Sequence, residues 1–414
     1  MLESLWESVR TFLQSTLLWI LSLVLVGLGL WQYPTIKQQL LPVQENTQDT
    51  TLELGLSAKQ VANLINKAEP GVKNAFDWAN DLRSALEVNR LPRSRENVCA
   101  LIAIIDQESG FNANPTIPNL GELSVKAIIQ KLENIPMIGH VVNGSAQALL
   151  EHYPTPEKNY LNRIRQAKTE RDLDMTYRDI VSNVLQSKGG SLLRNSQLVR
   201  DLTEGLNEID TIGSMQVAVG FAVQVEEERR RHTLTLDEVW SVRDRMYTRK
   251  GGMDYGAILL LGYESGYTQK IHRFADFNAG RYASRNAAVQ AVVADLLKRK
   301  LASDGDLLTY GSDGKPLGTI SNSEQAINDV MEQYHLGLSA AKVRTDLLQE
   351  KTFDFTNTKT YQMLMQQYET VKGKPAPYAI LPGIVLQSEK TSKVLTTEHF
   401  AETVNKRYQR CTSD

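Results

Sequence analysis

Glu108 closes an apolar, helix-like run, and a carboxyl group in that position can do proton chemistry. The run reads Asn97-Val98-Cys99-Ala100-Leu101-Ile102-Ala103-Ile104-Ile105-Asp106-Gln107-Glu108-Ser109-Gly110-Phe111. At about 100° per residue, Val98, Leu101, Ile105 and Glu108 share an arc of about 80°. Gly110 follows as a helix stop. A carboxyl at the end of an apolar stripe is stripped of water, which disfavours its charged form and raises its pKa. A glutamic acid still protonated near neutral pH is a general acid. Taken alone, the stretch more commonly describes a polar residue marking the end of a helix. Asp106 points about 160° away from Glu108, a poor position for a second carboxylate.

Glu-Ser occurs at Glu3, Glu7, Glu108 and Glu264, twice as Glu-Ser-Gly-aromatic: Glu108-Ser109-Gly110-Phe111 and Glu264-Ser265-Gly266-Tyr267. Two other stretches choose between them, Gly213-Ser214-Met215-Gln216-Val217 and Phe274-Ala275-Asp276-Phe277-Asn278-Ala279-Gly280. Only Glu108 precedes both. With Gly256 inside the apolar segment Asp254-Tyr255-Gly256-Ala257-Ile258-Leu259-Leu260, these motifs resemble the lysozyme-like lytic transglycosylases of bacterial cell walls. That family runs Glu-Ser-x-Phe, then Gly-Leu-Met-Gln, then a helical Gly, then Tyr-Asn-Ala-Gly. Here Ser214 replaces the Leu and Phe277 the Tyr. About a hundred residues separate Glu108 from Gly213 where simpler members have a few tens, so residues 115–210 read as a helical insertion. The carboxyl end, Leu395-Thr396-Thr397-Glu398-His399-Phe400-Ala401 with Arg407-Tyr408-Gln409-Arg410-Cys411, resembles a narrower group of bacterial envelope proteins, DUF1615, from about residue 60 onward. Members of that group are often lipoproteins, whereas no Cys lies near the apolar run at the amino terminus of this chain.

The resemblance implies peptidoglycan glycan strands as substrate and Glu108 as the catalytic residue. Glu108 would protonate the oxygen between N-acetylmuramic acid and N-acetylglucosamine. As the carboxylate it would then help the muramic 6-hydroxyl attack its own anomeric carbon, giving a 1,6-anhydro end without consuming water. Gly213 would let backbone approach a sugar ring. Met215 would be a soft apolar contact, and Gln216 would donate to and accept from an N-acetyl group or support Glu108. Phe277 would pack on a sugar face, and Asn278 would bond the ligand or hold its loop. Ser109, Tyr255 and Gly280 complete the expected substrate-binding set. For Met215 and Phe277 the alternative is core packing; for Gln216 and Asn278 it is loop or cap chemistry. Ordinary glycosidases pair two carboxylates about 5–10 Å apart. The motifs bring no obvious partner, although Asp276 adjoins Phe277, so a lysozyme-type hydrolase is one alternative. A non-catalytic cell-wall-binding or scaffold protein in an envelope assembly is another. The acid chemistry needs no metal or organic cofactor.

Helical periodicity dominates the segments that would position these residues. It predicts helices over 58–67, 74–87, 95–107, 124–134, 157–169, 177–186, 191–206, 215–230, 235–247, 254–261, 267–279 and 286–300, with later ones over 323–334, 339–350, 360–368 and 397–408. A hairpin is expected within 307–320 and an extended piece over 378–386. The fold class is therefore mainly α: a lysozyme-like core over 57–300 carrying the insertion, and an α+β extension over 301–414 packed on it. Glu226-Glu227-Glu228-Arg229-Arg230-Arg231 reads as a solvated helix end. Cys99 reads as a buried thiol or as a disulfide partner of Cys411.

No charged residue falls between Thr11 and Ile36, and Phe12 to Trp31 provides about 30 Å of helix, enough to cross a bilayer. Residues 1–37 are therefore expected to be a single-pass anchor, and the Gln-, Thr- and Asn-rich residues 38–56 a linker. A body that acts on the cell wall implies an inner-membrane protein with its amino terminus in the cytoplasm and its body in the periplasm. The formal net charge of −2 argues against a nucleic-acid partner held by bulk basicity. Two cysteines rule out a disulfide-dense scaffold, and the absence of a His-x-x-x-His pair argues against a metal-dependent hydrolase.

Overall fold

Helix starts are set by short polar side chains. Ser57, Ser94, Thr235 and Thr396 each accept a hydrogen bond from the backbone N–H three residues on, satisfying a donor the helix itself leaves unpaired. The computed structural model describes residues 55–133, 146–187, 196–205, 207–311, 314–386 and 395–413. The expected membrane helix over 12–31 lies outside the described residues. Among those described, no helix is long and apolar enough to cross a membrane.

Three helices open the body: α1 (Ala58–Ala68), α2 (Ala75–Val88) and α3 (Arg95–Ser109). Every residue of α3 from Val98 to Asp106 is buried. The apolar stripe expected there is in fact an apolar cylinder, as a helix central to its core requires. The segment between the motifs is helical: α4 (Leu120–Glu133), α5 (Ala146–His152), a hairpin of β1 (Pro154–Thr155) and β2 (Lys158–Asn159), α6 (Tyr160–Gln166), α7 (Glu170–Ser187) and α8 (Gln197–Gly205). Helix α6 begins later than the predicted 157 because residues 158–159 pair as a strand. Helix α7 begins earlier than the predicted 177 because the Asp172 carboxylate caps the N–H groups of Lys168 and Thr169.

A second hairpin follows, β3 (Thr211–Ile212) and β4 (Val217–Ala218), with Thr211 opposite Ala218 and Ile212 opposite Val217. This pairing moves the helix predicted from 215 to α9 (Val219–Arg230). Helices α10 (Leu236–Met246), α11 (Arg249–Leu261) and α12 (Lys270–Ala279) contribute buried side chains to the same interior as α3.

Helix α13 (Ala283–Leu297) leads to a second apolar interior. Its Val289, Val292 and Val293 pack there with α14 (Asn322–Gln333), α15 (Ala340–Leu347), a 3-10 turn (Phe353–Asn357) and α16 (Lys359–Lys372). The hairpin expected over 307–320 is reduced to a bridge between Tyr310 and Pro316. The N–H groups of Leu307 and Leu308 are spent on the buried Glu350 carboxylate instead. The chain returns through β5 (Val385–Leu386) and β6 (Leu395–Thr396) to α17 (Thr397–Thr412), whose Ala401, Val404 and Cys411 belong to the first interior. The division expected at residue 300 thus does not follow the cores: α13 serves the second and α17 the first.

Helix α17 is fastened to α3. Cys99 is not a thiol: it forms a disulfide with Cys411, 312 residues away, with Cα atoms 5.6 Å apart. Asp106 accepts from Arg407 at 2.6 Å. The run Glu226–Arg231 is also not a purely solvated end. Glu226 is buried and pairs with Arg229, Arg230 and Arg245, while Glu227 accepts from Arg200 and from the N–H of Leu234.

Candidate functional site

Glu108 stands on the last turn of α3, one residue before its final residue Ser109, with Gly110 as the cap. The residue keeps a solvent edge, yet protein encloses its carboxyl, and burial alone pushes its pKa from the ordinary 4.5 to about 7. No cation or hydrogen-bond donor among the described residues offsets that burial. Asp106, two residues earlier, differs: burial pushes its carboxyl up while the Arg407 guanidinium pulls it down.

Ser109 joins the first two motifs. Its hydroxyl lies 3.1 Å from the Ile105 carbonyl and 2.9 Å from the Ser214 carbonyl, sharing its hydrogen between them. The end of the acid-bearing helix is thereby tied to the turn of the β3–β4 hairpin. That turn is tight. Gly213 sits at φ +87°, and a Cβ there would lie 2.4 Å from the Met246 carbonyl oxygen, so no side chain fits. The N–H of Gln216 closes the turn on the Gly213 carbonyl at 3.0 Å. Gln216 itself is left-handed at φ +48°, a conformation a non-glycine residue adopts only when its surroundings hold it.

The Gln216 amide has a defined orientation. Its Oε1 accepts from Thr211 Oγ1 at 2.9 Å; its Nε2 donates to Glu170 Oε2 and to the Gly213 carbonyl, each at 3.3 Å. Met215 is fully buried beneath the turn and faces Gly256 of α11. A Cβ on Gly256 would lie 2.2 Å from the Met215 sulfur, which is why the apolar helix carries a glycine at that point. Two motifs that the sequence placed forty residues apart are thus one packing unit.

Met215 and Tyr255, both expected as substrate contacts, are placed otherwise. Met215 is a core residue that supports the turn from behind. Tyr255 is buried, its hydroxyl donating to Glu226 at 3.1 Å. The third motif is more distant. Phe277 is half-buried against the first interior, and Asn278 Oδ1 accepts from Thr397 Oγ1 of α17 at 2.8 Å. Gly280 ends α12 at φ +104°. Among the described residues no hydrogen bond joins Phe277, Asn278 or Gly280 to Glu108 or to the Gly213–Gln216 turn. Asn278 is bonded to α17, and the start of α12 reaches α3 directly, Lys270 donating to Asn97 Oδ1 at 3.1 Å.

Asp276 is a structural hub. It is fully buried, and its carboxylate accepts from the hydroxyls of Tyr263 and Tyr267 and from the N–H groups of Tyr282 and Ser284, at 2.7–3.0 Å. Among the described residues no three His, Cys, Asp or Glu side chains converge as metal ligands would. Sequence reasoning missed Glu170, Thr211 and Thr397 as partners of motif residues. Thr397 lies in a stretch already singled out, but Glu170 carries no local signal, because what it touches lies 46 residues away.

Residues 71–414 match the protein family described as a protein of unknown function (DUF1615). The chain is also 34% identical over 361 residues to the uncharacterized protein YaiW of Escherichia coli (strain K12), covering 87% of this chain and 92% of that protein. No solved structure matches. The carboxyl-terminal motif that pointed to this group forms α17, the helix that fastens the acid-bearing helix in place, and the chain belongs to the DUF1615 family.

Proposed function

We propose that the chain is a peptidoglycan lytic transglycosylase-like enzyme with a lysozyme-like core, in which Glu108 is general acid and then general base. The observation that carries this reading is the state of Glu108: a carboxyl raised to about 7 by burial alone, at the end of a core helix whose Ser109 is bonded to the turn of a hairpin. Near neutral pH such a group can give a proton to a glycosidic oxygen and then take one from an attacking hydroxyl. Two acids near the motifs in sequence are engaged elsewhere, Asp106 by Arg407 and Asp276 by four donors. With those two engaged, attack by the muramic 6-hydroxyl is proposed over the two-carboxylate route of hydrolysis, for which Glu170, held on the Gln216 amide, is the acid to test. Gln216 and the backbone of the turn would bind the glycan, with Ser109 fixing the turn to the acid. Phe277, Asn278 and Gly280 would contribute from α12.

The Cys99–Cys411 disulfide supports a body outside the cytosol, since such bonds persist in oxidising compartments. The proposed arrangement is an anchor over residues 12–31 with the body in the periplasm. Mass spectrometry of fragments released from purified bacterial sacculi tests the reading, with wild type and Glu108→Gln side by side. Anhydro ends from wild type alone are expected. Reducing ends would replace the reaction by hydrolysis, and silence from wild type would leave a cell-wall-binding role.

A further inference from the structure

Among the described residues, Glu170 is the insertion's contact with the Gln216 amide, and the insertion holds that residue firmly. Glu170, Asp174 and Arg178 lie four residues apart on α7, so they share one face. Asp174 is fully buried and accepts from Arg243 of α10 at 3.0 Å and from Asn207 at 2.8 Å. Arg178 is buried beside it, paired with Asp174 and, at 2.9 Å, with Asp244. Arg243 in turn donates to Glu204 at 2.7 Å and to the Ile209 carbonyl at 2.9 Å. The lower part of this face is thus locked into the body by charges that would be costly to leave unpaired. The amino end of α7 is fixed as well, by the bridge of Thr116 to Thr169 and the bond from the Ile117 N–H to the Lys168 carbonyl at 2.8 Å. Glu170 is the first residue of this fixed helix, and its Oε2 accepts from Gln216 Nε2.

We infer that the insertion completes the site, with Glu170 as the positioning residue that sets the orientation of the Gln216 amide. This rests on the turn being a glycan-binding element, as proposed above. An amide can flip, exchanging oxygen for nitrogen at little steric cost. Flipped here, the Gln216 oxygen would face the Glu170 carboxylate and the Gly213 carbonyl, three acceptors with no hydrogen between them. Glu170 therefore commits Nε2 to the protein. Gln216 Oε1, which takes one bond from Thr211, keeps a second lone pair for a ligand donor. The ligand group that fits is an N–H or O–H, such as the amide N–H of an N-acetyl sugar, and not a carbonyl. The insertion is accordingly part of the recognition apparatus.

The test is co-sedimentation of the full chain with purified sacculi in the Glu108→Gln background, so that binding is read without turnover. Glu170→Ala, Gln216→Ala and the double variant are compared with Glu170→Gln, which keeps an acceptor oxygen. Each alanine variant is expected to weaken binding about tenfold, the double no more than either single, and Glu170→Gln to restore it to within about twofold. The unfolding midpoint of Glu170→Ala should match its parent. Unchanged binding in Glu170→Ala, or losses that add in the double variant, overturn the inference. Fragment release by the chain with Glu108 intact is measured in parallel. Release that depends on Glu108 while Glu170→Ala binds normally refutes the inference and leaves the proposed function standing. Coupled loss of binding with no release upholds the inference and refutes the catalytic reading. A parent that does not bind sacculi overturns both.

Discussion

Replacing Glu108 by Gln should make the protein more stable at pH 8 while removing its activity, and the size of the gain follows from the site. Burial raises the carboxyl from 4.5 to about 7 with nothing to offset it. Between those pH values the folded protein holds a proton at Glu108 that the unfolded chain has lost. Stability therefore falls as pH rises through this window, and the loss is complete above about 7. At about 1.4 kcal/mol per pH unit the gap amounts to about 3 kcal/mol. Because the side chain keeps a solvent edge, screening reduces this to about 1–2 kcal/mol. Gln has nearly the same shape and never ionises, so it escapes the loss. Urea unfolding of both proteins from pH 4 to pH 8 isolates the effect, since every other titrating group, the buried Glu350 included, is common to both and cancels in the difference. The two curves should run parallel below about pH 4.5, separate between 4.5 and 7 with the variant gaining, and run parallel again above. A difference independent of pH, or one that grows in favour of wild type as pH rises, would refute the claim that Glu108 is an uncompensated buried acid.

The same ionisation should appear in catalysis: kcat/KM for glycan cleavage should fall about tenfold per pH unit above about 7, as the acid is lost. A profile flat to pH 9 would assign the proton transfer to another group. Gly213→Ala combines a left-handed backbone with a Cβ 2.4 Å from the Met246 carbonyl oxygen. It should cost about 1–3 kcal/mol in denaturant unfolding and lower glycan binding along with it. Reduction of Cys99–Cys411, or Ser at both positions, should lower stability by about 2–5 kcal/mol, because the bond closes a loop of 312 residues. An unchanged midpoint would show that the helix pair needs no staple. Arg243→Met strips buried Asp174 of one of its two guanidinium partners and Glu204 of its own, and should cost about 2–4 kcal/mol, with hydrogen exchange rising first along α7.

The parts of this molecule visible in its sequence are those whose cause is local. Caps and apolar periodicity mark most helices to within a few residues, because a Ser or Thr N-cap and a hydrophobic face are written in neighbouring positions. Two-residue strands are invisible to that method: β4 takes residues 217–218 from the front of a predicted helix, and only its pairing with β3 could have said so. The sequence of α3 shows an apolar stripe, whereas α17, which covers part of that helix, arrives from the far end of the chain. Cys99 was undecided for the same reason, since a disulfide across 312 residues leaves no trace in spacing. At the site, the link from Ser109 to Ser214 and the fit of Met215 to Gly256 were anticipated only as motif order. Glu170 carries no sign at all, because a carboxylate at the start of α7 looks like an ordinary first-turn acid.

The two Glu-Ser-Gly-aromatic tetrapeptides show why environment, and not the motif, makes an acid. Glu108 and Glu264 are each followed by Ser, Gly and an aromatic residue. Ser109 reaches across to the Ser214 carbonyl, and the buried α3 delivers Glu108 into an enclosed position. Glu264 is exposed after the end of α11. Its tetrapeptide serves as a docking point for tyrosines: the Glu264 carbonyl accepts from the Tyr282 hydroxyl and the Ser265 carbonyl from the Tyr378 hydroxyl, each at 2.8 Å. A Cβ at Gly266 would collide with that same Tyr378 hydroxyl. One copy uses its backbone to fasten residue 378 to the body, and the other uses its side chains to fasten a carboxyl to a turn. The difference lies in what precedes them. Nine consecutive buried residues lead into Glu108, and such a helix can drive a carboxylate out of water. No comparable run leads into Glu264, and its side chain stays exposed even though Ser265 beside it is buried.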